Sequence, residues 1–130
     1  MVKEFSKYLF CYFVDNRPHE ERVHFAISKY GYNFTAVNEN KPIIIQTKGK
    51  KSCRDPFIFR DNDGVFHIIA TDMKSEEGWA NNNSMVMWDS VDLVHWTNER
   101  IIDFSNFEET KNANRVWAPQ VILKKKKNEY

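Results

Sequence analysis

The chain repeats itself, and this repeat restricts the fold more than any other feature of the sequence. Ser28-Lys29-Tyr30-Gly31-Tyr32-Asn33-Phe34-Thr35 aligns with Ser90-Val91-Asp92-Leu93-Val94-His95-Trp96-Thr97: a serine, two variable residues, a turn, then an aromatic followed by threonine. Residues 8–15 align in the same way with residues 65–72, each an apolar stretch ending in Asp. The offsets are 62 residues (28 to 90) and 57 residues (15 to 72), a difference that loop length absorbs. A third copy begins at Ala118-Pro119-Gln120-Val121-Ile122, which parallels Asp55-Pro56-Phe57-Ile58-Phe59, and places Tyr130 near the start of that copy's second strand. Self-similarity at a fixed spacing marks an array of like structural units.

The units are built of strands, because no apolar pattern of period 3.6 runs for ten residues. Residues 8–14 are apolar and aromatic without a break, which predicts a strand covered on both faces. Residues 22–28 alternate, with Val23, Phe25 and Ile27 on one face. Short strands at 33–37 and 43–45 complete a first unit over 8–46. The second unit, 54–104, starts with a hairpin whose apolar arms, 57–59 and 65–70, flank the turn-forming Asp61-Asn62-Asp63-Gly64. Strands at 84–90, 95–97 and 101–104 follow, and the polar stretch 107–114 has room for a helical turn. Residues 116–130 open a third unit. About sixty residues per four-strand unit, with inner strands apolar on both faces, is the pattern of a β-propeller blade. The expectation is an all-β chain in which 1–130 form a single, incomplete propeller domain, about two blades plus the first strand of a third.

Composition excludes several classes. A net charge of +1 gives no field that would draw nucleic acid or an acidic partner. The basic run 124–127 reads as a solvated hairpin flank. No apolar stretch approaches the ~20 residues of a membrane helix. Met1-Val2-Lys3-Glu4 lacks the basic, apolar and small-residue sequence of a signal peptide, which leaves the localisation open. Cys11 and Cys53 have no zinc-site spacing, and Cys11 in its apolar strand reads as a buried free thiol. His24, His67 and His95 never reach metal-ligand spacing. Asp61-Asn62-Asp63-Gly64 lacks the distal glutamate of a calcium loop. No metal or cofactor is expected from these residues.

The chemistry centres on Asp55. Pro56 fixes its own φ, has no N–H, and biases Asp55 towards extended backbone. A carboxylate fixed at a strand start is placed to face a cavity, or to pair with Arg54. Trp79, in a polar loop, and Trp117, beside Ala118-Pro119, are candidate platforms for sugar rings. Trp88 and Trp96 lie in strands and are expected to pack between blades, while Asp72 and Asp89, at the ends of inner strands, are placed to line a pocket or, the reading preferred, to cap loops.

Arg54-Asp55-Pro56, residues 63–72, residues 88–96 and Val116-Trp117-Ala118-Pro119-Gln120 together resemble glycoside hydrolase family 43 over nearly the whole chain from Tyr8. Members of that family are five-bladed propellers that hydrolyse α-L-arabinofuranosyl or β-D-xylosyl linkages in plant polysaccharides with inversion. Such chemistry needs a base that activates water and an acid across the bond, about 6.5–9.5 Å apart. The resemblance places Asp55 at the general base and puts Arg54, Trp79, Trp117 and Gln120 at substrate-binding positions. It puts the general acid and a modulating Asp on later blades, so this chain is expected to lack the acid and to be inactive alone. Fructan-cleaving propellers use Arg-Asp-Pro for a transition-state-stabilising Asp, the other role open to Asp55. The resemblance leaves room for a structural calcium in a complete propeller. It implies an oligo- or polysaccharide substrate, no nucleic acid or membrane partner, and contact with remaining blades; relatives are commonly secreted or periplasmic. The alternative reading is a non-catalytic or vestigial carbohydrate-binding propeller fragment.

Overall fold

The computed structural model describes residues 7–17 and 19–124. The expectations for residues 1–4, 125–127 and Tyr130 lie outside the described residues. Strands β1 (Tyr8–Tyr12), β2 (His24–Ser28) and β3 (Thr35–Ala36) form one antiparallel sheet in the order β1-β2-β3. Strands β4 (Cys53–Arg60), β5 (Phe66–Asp72), β6 (Ser84–Ser90) and β7 (Thr97–Asp103) form a second, four-stranded antiparallel meander. The all-β reading holds, and the two sheets are those of an incomplete propeller.

The repeat is visible as geometry. Ser28 Oγ accepts from the N–H groups of Tyr30 (3.3 Å) and Gly31 (2.9 Å), and Ser90 Oγ accepts from those of Asp92 (3.3 Å) and Leu93 (2.9 Å). Gly31 (φ +81°) and Leu93 (φ +67°) take the same left-handed step at the same place in each turn. The strand ladders set Tyr8 opposite Ser28 and Phe66 opposite Ser90. Tyr8 therefore corresponds to Phe66, one residue along from the sequence pairing with Val65.

The sheets meet across one apolar layer. Val23, Phe25 and Ile44 from the first repeat pack with Cys53, Ile68, Ala70, Val86 and Trp88 from the second, with Leu9, Cys11 and Trp96 against them. Phe25 and Trp96 meet edge-on at 6.0 Å. Trp88 and Trp96 thus pack between sheets as their strand positions suggested. Burying each large side chain contributes about 1.5–3 kcal/mol, so this layer dominates the association of the repeats. Trp88 Nε1 also donates to Glu99 Oε2 (3.0 Å), and Glu99 accepts from Thr47 N (2.9 Å), which pins the inter-repeat link to β7.

Five details differ from the sequence expectations, the first being that the strand expected to open the third unit is absent over residues 116–124, with an isolated bridge from Arg115 to Asn82 just before them. In β1, Leu9 and Cys11 face the core, whereas Tyr8 is 57% and Phe10 52% exposed, and Val14 beyond the strand is also exposed. No sheet lies against that second face among the described residues. Residues 43–45 form no strand; Ile43 N bonds Val23 O (2.9 Å) and Ile44 plugs into the core. The two short strands expected at 95–97 and 101–104 are one, β7. Residues 107–114 hold two successive turns, Thr110 N to Phe107 O (3.1 Å) and Ala113 N to Thr110 O (2.9 Å), without becoming a helix, and a 3₁₀ turn precedes them at Phe104–Asn106, where Asp103 accepts from Ser105 N.

Candidate functional site

At the start of β4 the ladder pairs Cys53 with Asp72 and Arg54 with Thr71, then resumes at Phe57 with Ile69. Asp55 and Pro56 form a bulge between them. Asp55 has φ +49°, not the extended backbone expected before a proline. A bulge needs one residue that breaks the pleat, and Pro56, with φ locked negative, cannot supply a positive φ. Aspartate is among the residues that tolerate this region. The Asp55 side chain is exposed and has no hydrogen-bond partner among the described residues. Its suggested pairing with Arg54 is not formed.

Arg54 is committed elsewhere. Its Nη1 donates to Glu21 Oε1 at 2.9 Å, with the two side chains 14% and 4% exposed, and also reaches Asn16 Oδ1 and Ser75 Oγ. Its guanidinium lies 4.5 Å from the Phe13 ring centre and 5.0 Å from that of Trp79. Trp79 in turn meets Trp117 edge-on at 6.3 Å. Arg115 donates from Nε to Trp79 O (3.1 Å) and lies 5.4 Å over Trp117. Thr71, the ladder partner of Arg54, accepts through Oγ1 from Ala118 N (3.0 Å). The structure therefore gathers Arg54, Trp79 and Trp117 into one cluster, with Asp55 the next residue along the chain from Arg54. Both Trp residues are about half exposed, with Arg54 over the ring of Trp79 and Arg115 over that of Trp117. Gln120 is exposed just beyond the buried Pro119 and shows no hydrogen bond among the described residues. Ala118, the counterpart of Asp55, shares its φ of +49°.

Glu21 was not singled out in the sequence. Its carboxylate accepts from Arg54 Nη1, from Ser75 N (3.0 Å) and Oγ, and from Ser52 Oγ (3.3 Å). No local motif announces this group: its partners lie 31 to 54 residues away. These four donors occupy both carboxylate oxygens and make Glu21 a structural acceptor. Glu21 and Asn16 also line a polar cleft, whose walls do not include Asp55, Trp79, Trp117 or Gln120.

Two further carboxylates are structural. Asp72 Oδ1 takes Gln46 Nε2 (2.6 Å) and Lys50 N (2.9 Å), which caps the link between repeats as expected. Burial pushes its carboxyl up, only partly offset by those donors. Asp89 binds Arg100 through two nitrogens, each at 3.0 Å, and His67 Nδ1 at 2.7 Å. Among the described residues no three His, Cys, Asp or Glu side chains are grouped to hold a metal ion, and no helix is long and apolar enough to cross a membrane. Asp61 serves the hairpin turn, its Oδ1 accepting from Asp63 N and Val65 N, both at 2.9 Å.

The repeated antiparallel meander, three strands in the first unit and four in the second, is that of a propeller. A family model described as a probable glycosyl hydrolase domain matches residues 3–130, and the chain belongs to this family, related to glycoside hydrolase family 43. No curated protein matches the chain.

Proposed function

We propose that this chain carries the water-activating part of an inverting glycosidase acting on α-L-arabinofuranosyl or β-D-xylosyl linkages, with Asp55 as general base. The observation that supports this most is the bulge at Asp55: a non-glycine residue at φ +49°, exposed and without a hydrogen-bond partner among the described residues, directly following the Arg54 whose guanidinium lies over Trp79. Backbone strain of about 1–3 kcal/mol concentrates where a side chain must be aimed. In this reading Trp79 and Trp117 form the sugar platform, Gln120 hydrogen-bonds a hydroxyl, and Arg54 braces Trp79. The general acid comes from another blade, because Glu21, the carboxylate bound to Arg54, is occupied by four donor groups that tie the repeats together.

The test is release of 4-nitrophenol from the α-L-arabinofuranoside and β-D-xyloside by the full-length protein, with and without Asp55→Asn. Loss of at least about a thousandfold in kcat with the fold intact supports the base assignment. Activity unchanged by Asp55→Asn removes it. A second reading, a non-catalytic saccharide-binding module, is favoured by the same Glu21 observation. It predicts xylo- or arabino-oligosaccharide binding that is lost with Trp79→Ala, and no hydrolysis of either glycoside.

A further inference from the structure

A cleft of about 600 Å³ lies between residues 16 and 19–22, the link at 49–52 and the turn at 74–77. That volume is within the range of small-molecule sites. Its walls are tied together by backbone and side-chain bonds. Cys53 N donates to Glu21 O (2.8 Å), Met73 N to Ser52 O (3.1 Å), and Ser75 N to Glu21 Oε2 (3.0 Å). Gly49 passes so close to Asp72 that a Cβ there would stand 2.4 Å from Oδ2, while Lys50 N donates to Asp72 Oδ1.

The charges on these walls do not cancel. Lys50 pairs with Glu77 at 3.0 Å, Lys74 pairs with Glu76, and Glu21 is committed to Arg54 and the two serines. Arg22 and Lys51 remain without a carboxylate within ion-pair distance among the described residues. Arg22 Nη2 meets only the His19 ring, at 2.9 Å, which leaves the rest of its fork open to an acceptor. The hydrogen bond from Cys53 N to Glu21 O brings the segments carrying Arg22 and Lys51 side by side. Two unpaired cations on a walled cleft favour an anionic group, and the planar guanidinium matches the two oxygens of a carboxylate in shape.

We propose that this cleft is a subsite for a uronosyl residue, its carboxylate held between Arg22 and Lys51. The choice of a sugar as the bearer of that carboxylate rests on the glycosidase reading. The cleft shares Glu21 and Asn16 with the surroundings of Arg54, so an acidic branch on the saccharide chain would be read next to Arg54, the residue before Asp55. The substrate class narrows accordingly to acidic, uronate-decorated polysaccharide.

Amide chemical shifts of the full chain titrated with D-glucuronate, D-galacturonate, D-xylose and inorganic sulfate test this. Uronates are expected to shift residues 49–52 and 74–77, with xylose and sulfate at least about tenfold weaker. Arg22→Gln and Lys51→Gln are each expected to weaken uronate binding about tenfold, and Asp55→Asn to leave it unchanged. Xylose binding as tightly as the uronates, sulfate matching them, or affinity unmoved by both substitutions would each overturn the proposal. The readout is binding alone, so absence of hydrolysis leaves it standing. Loss of hydrolysis in Asp55→Asn together with no uronate binding defeats this subsite and spares the proposed function.

Discussion

Glu21 and Arg54 form an ion pair at 2.9 Å that joins the segment before β2 to the first residues of β4, and so ties one repeat to the next. Removing one member of a buried pair strands the other's charge, at a cost of about 3–5 kcal/mol. Glu21→Ala and Arg54→Ala should each lower the free energy of urea unfolding by that amount. The double variant should lose much less than the sum, because neither charge is then left alone. Additive losses would mean that the two side chains act independently.

Asp55 is predicted to trade stability for function. Glycine takes φ of +49° without the Cβ clash, so Asp55→Gly should stabilise the fold by roughly 1 kcal/mol while abolishing hydrolysis. Asp55→Asn, which keeps the strain, should leave the unfolding midpoint almost unchanged. A destabilised Asp55→Gly variant would show that the side chain has a structural partner.

Buried His24 and partly buried His67 should respond to pH with opposite signs. His24 is 4% exposed and neither ring nitrogen finds a hydrogen bond; burial lowers its pKa, Arg22 adds to this, and nearby Asn40 and Glu20 only partly oppose it. Its contribution is therefore present above the usual value of about 6.5 and is lost as pH falls below it. His67 sits between Asp89 (2.7 Å) and Asp61 (2.9 Å). Burial lowers its pKa, but the hydrogen bonds and charges of the two carboxylates outweigh that and raise it. Its contribution is present below about 6.5 and is lost as pH rises through the raised folded value. In urea titrations from pH 5 to 9, His24→Leu should flatten the acid side of the stability curve and His67→Gln the alkaline side. The reverse assignment would contradict both geometries.

What the sequence revealed and concealed follows from the range of the interactions. Ser28 and Ser90 bond N–H groups two and three residues ahead, so their turns were legible as a local pattern. The hairpin around Asp61 and the sheet-to-sheet roles of Trp88 and Trp96 were legible for the same reason, through turn residues and strand composition. Tyr8 and Phe10 were misjudged because an unbroken apolar run has no phase to show which face is open. Glu21 was missed because its donors come from 31 to 54 residues away, and nothing near it in sequence distinguishes it from its neighbour Glu20. The positive φ of Asp55 came from the register of β4 on β5, which overrode the local preference of a residue before proline.

Leu93 offers the most direct test that the two repeats share one turn. It holds φ +67° where the first repeat has Gly31 at +81°. A leucine in this region costs about 1–2 kcal/mol. The second copy offsets the strain through Asp92, whose Oδ1 accepts from Val94 N (2.9 Å) and His95 N (2.8 Å) and whose Oδ2 meets His95 Nδ1. The His95 hydrogen bonds hold the Asp92 carboxyl well below the usual range. Leu93→Gly should therefore raise stability by about 0.5–1 kcal/mol, less the small loss from a half-buried side chain. Gly31→Leu should cost about 1–2 kcal/mol or more, because the first turn has Tyr32 where the second has Val94 and Asn33 where it has His95, and Tyr30 stands in place of the bracing Asp92. Gly31→Leu combined with Tyr30→Asp should recover part of that loss, as read from thermal unfolding. Equal destabilisation by Leu93→Gly and Gly31→Leu would refute the equivalence of the two turns.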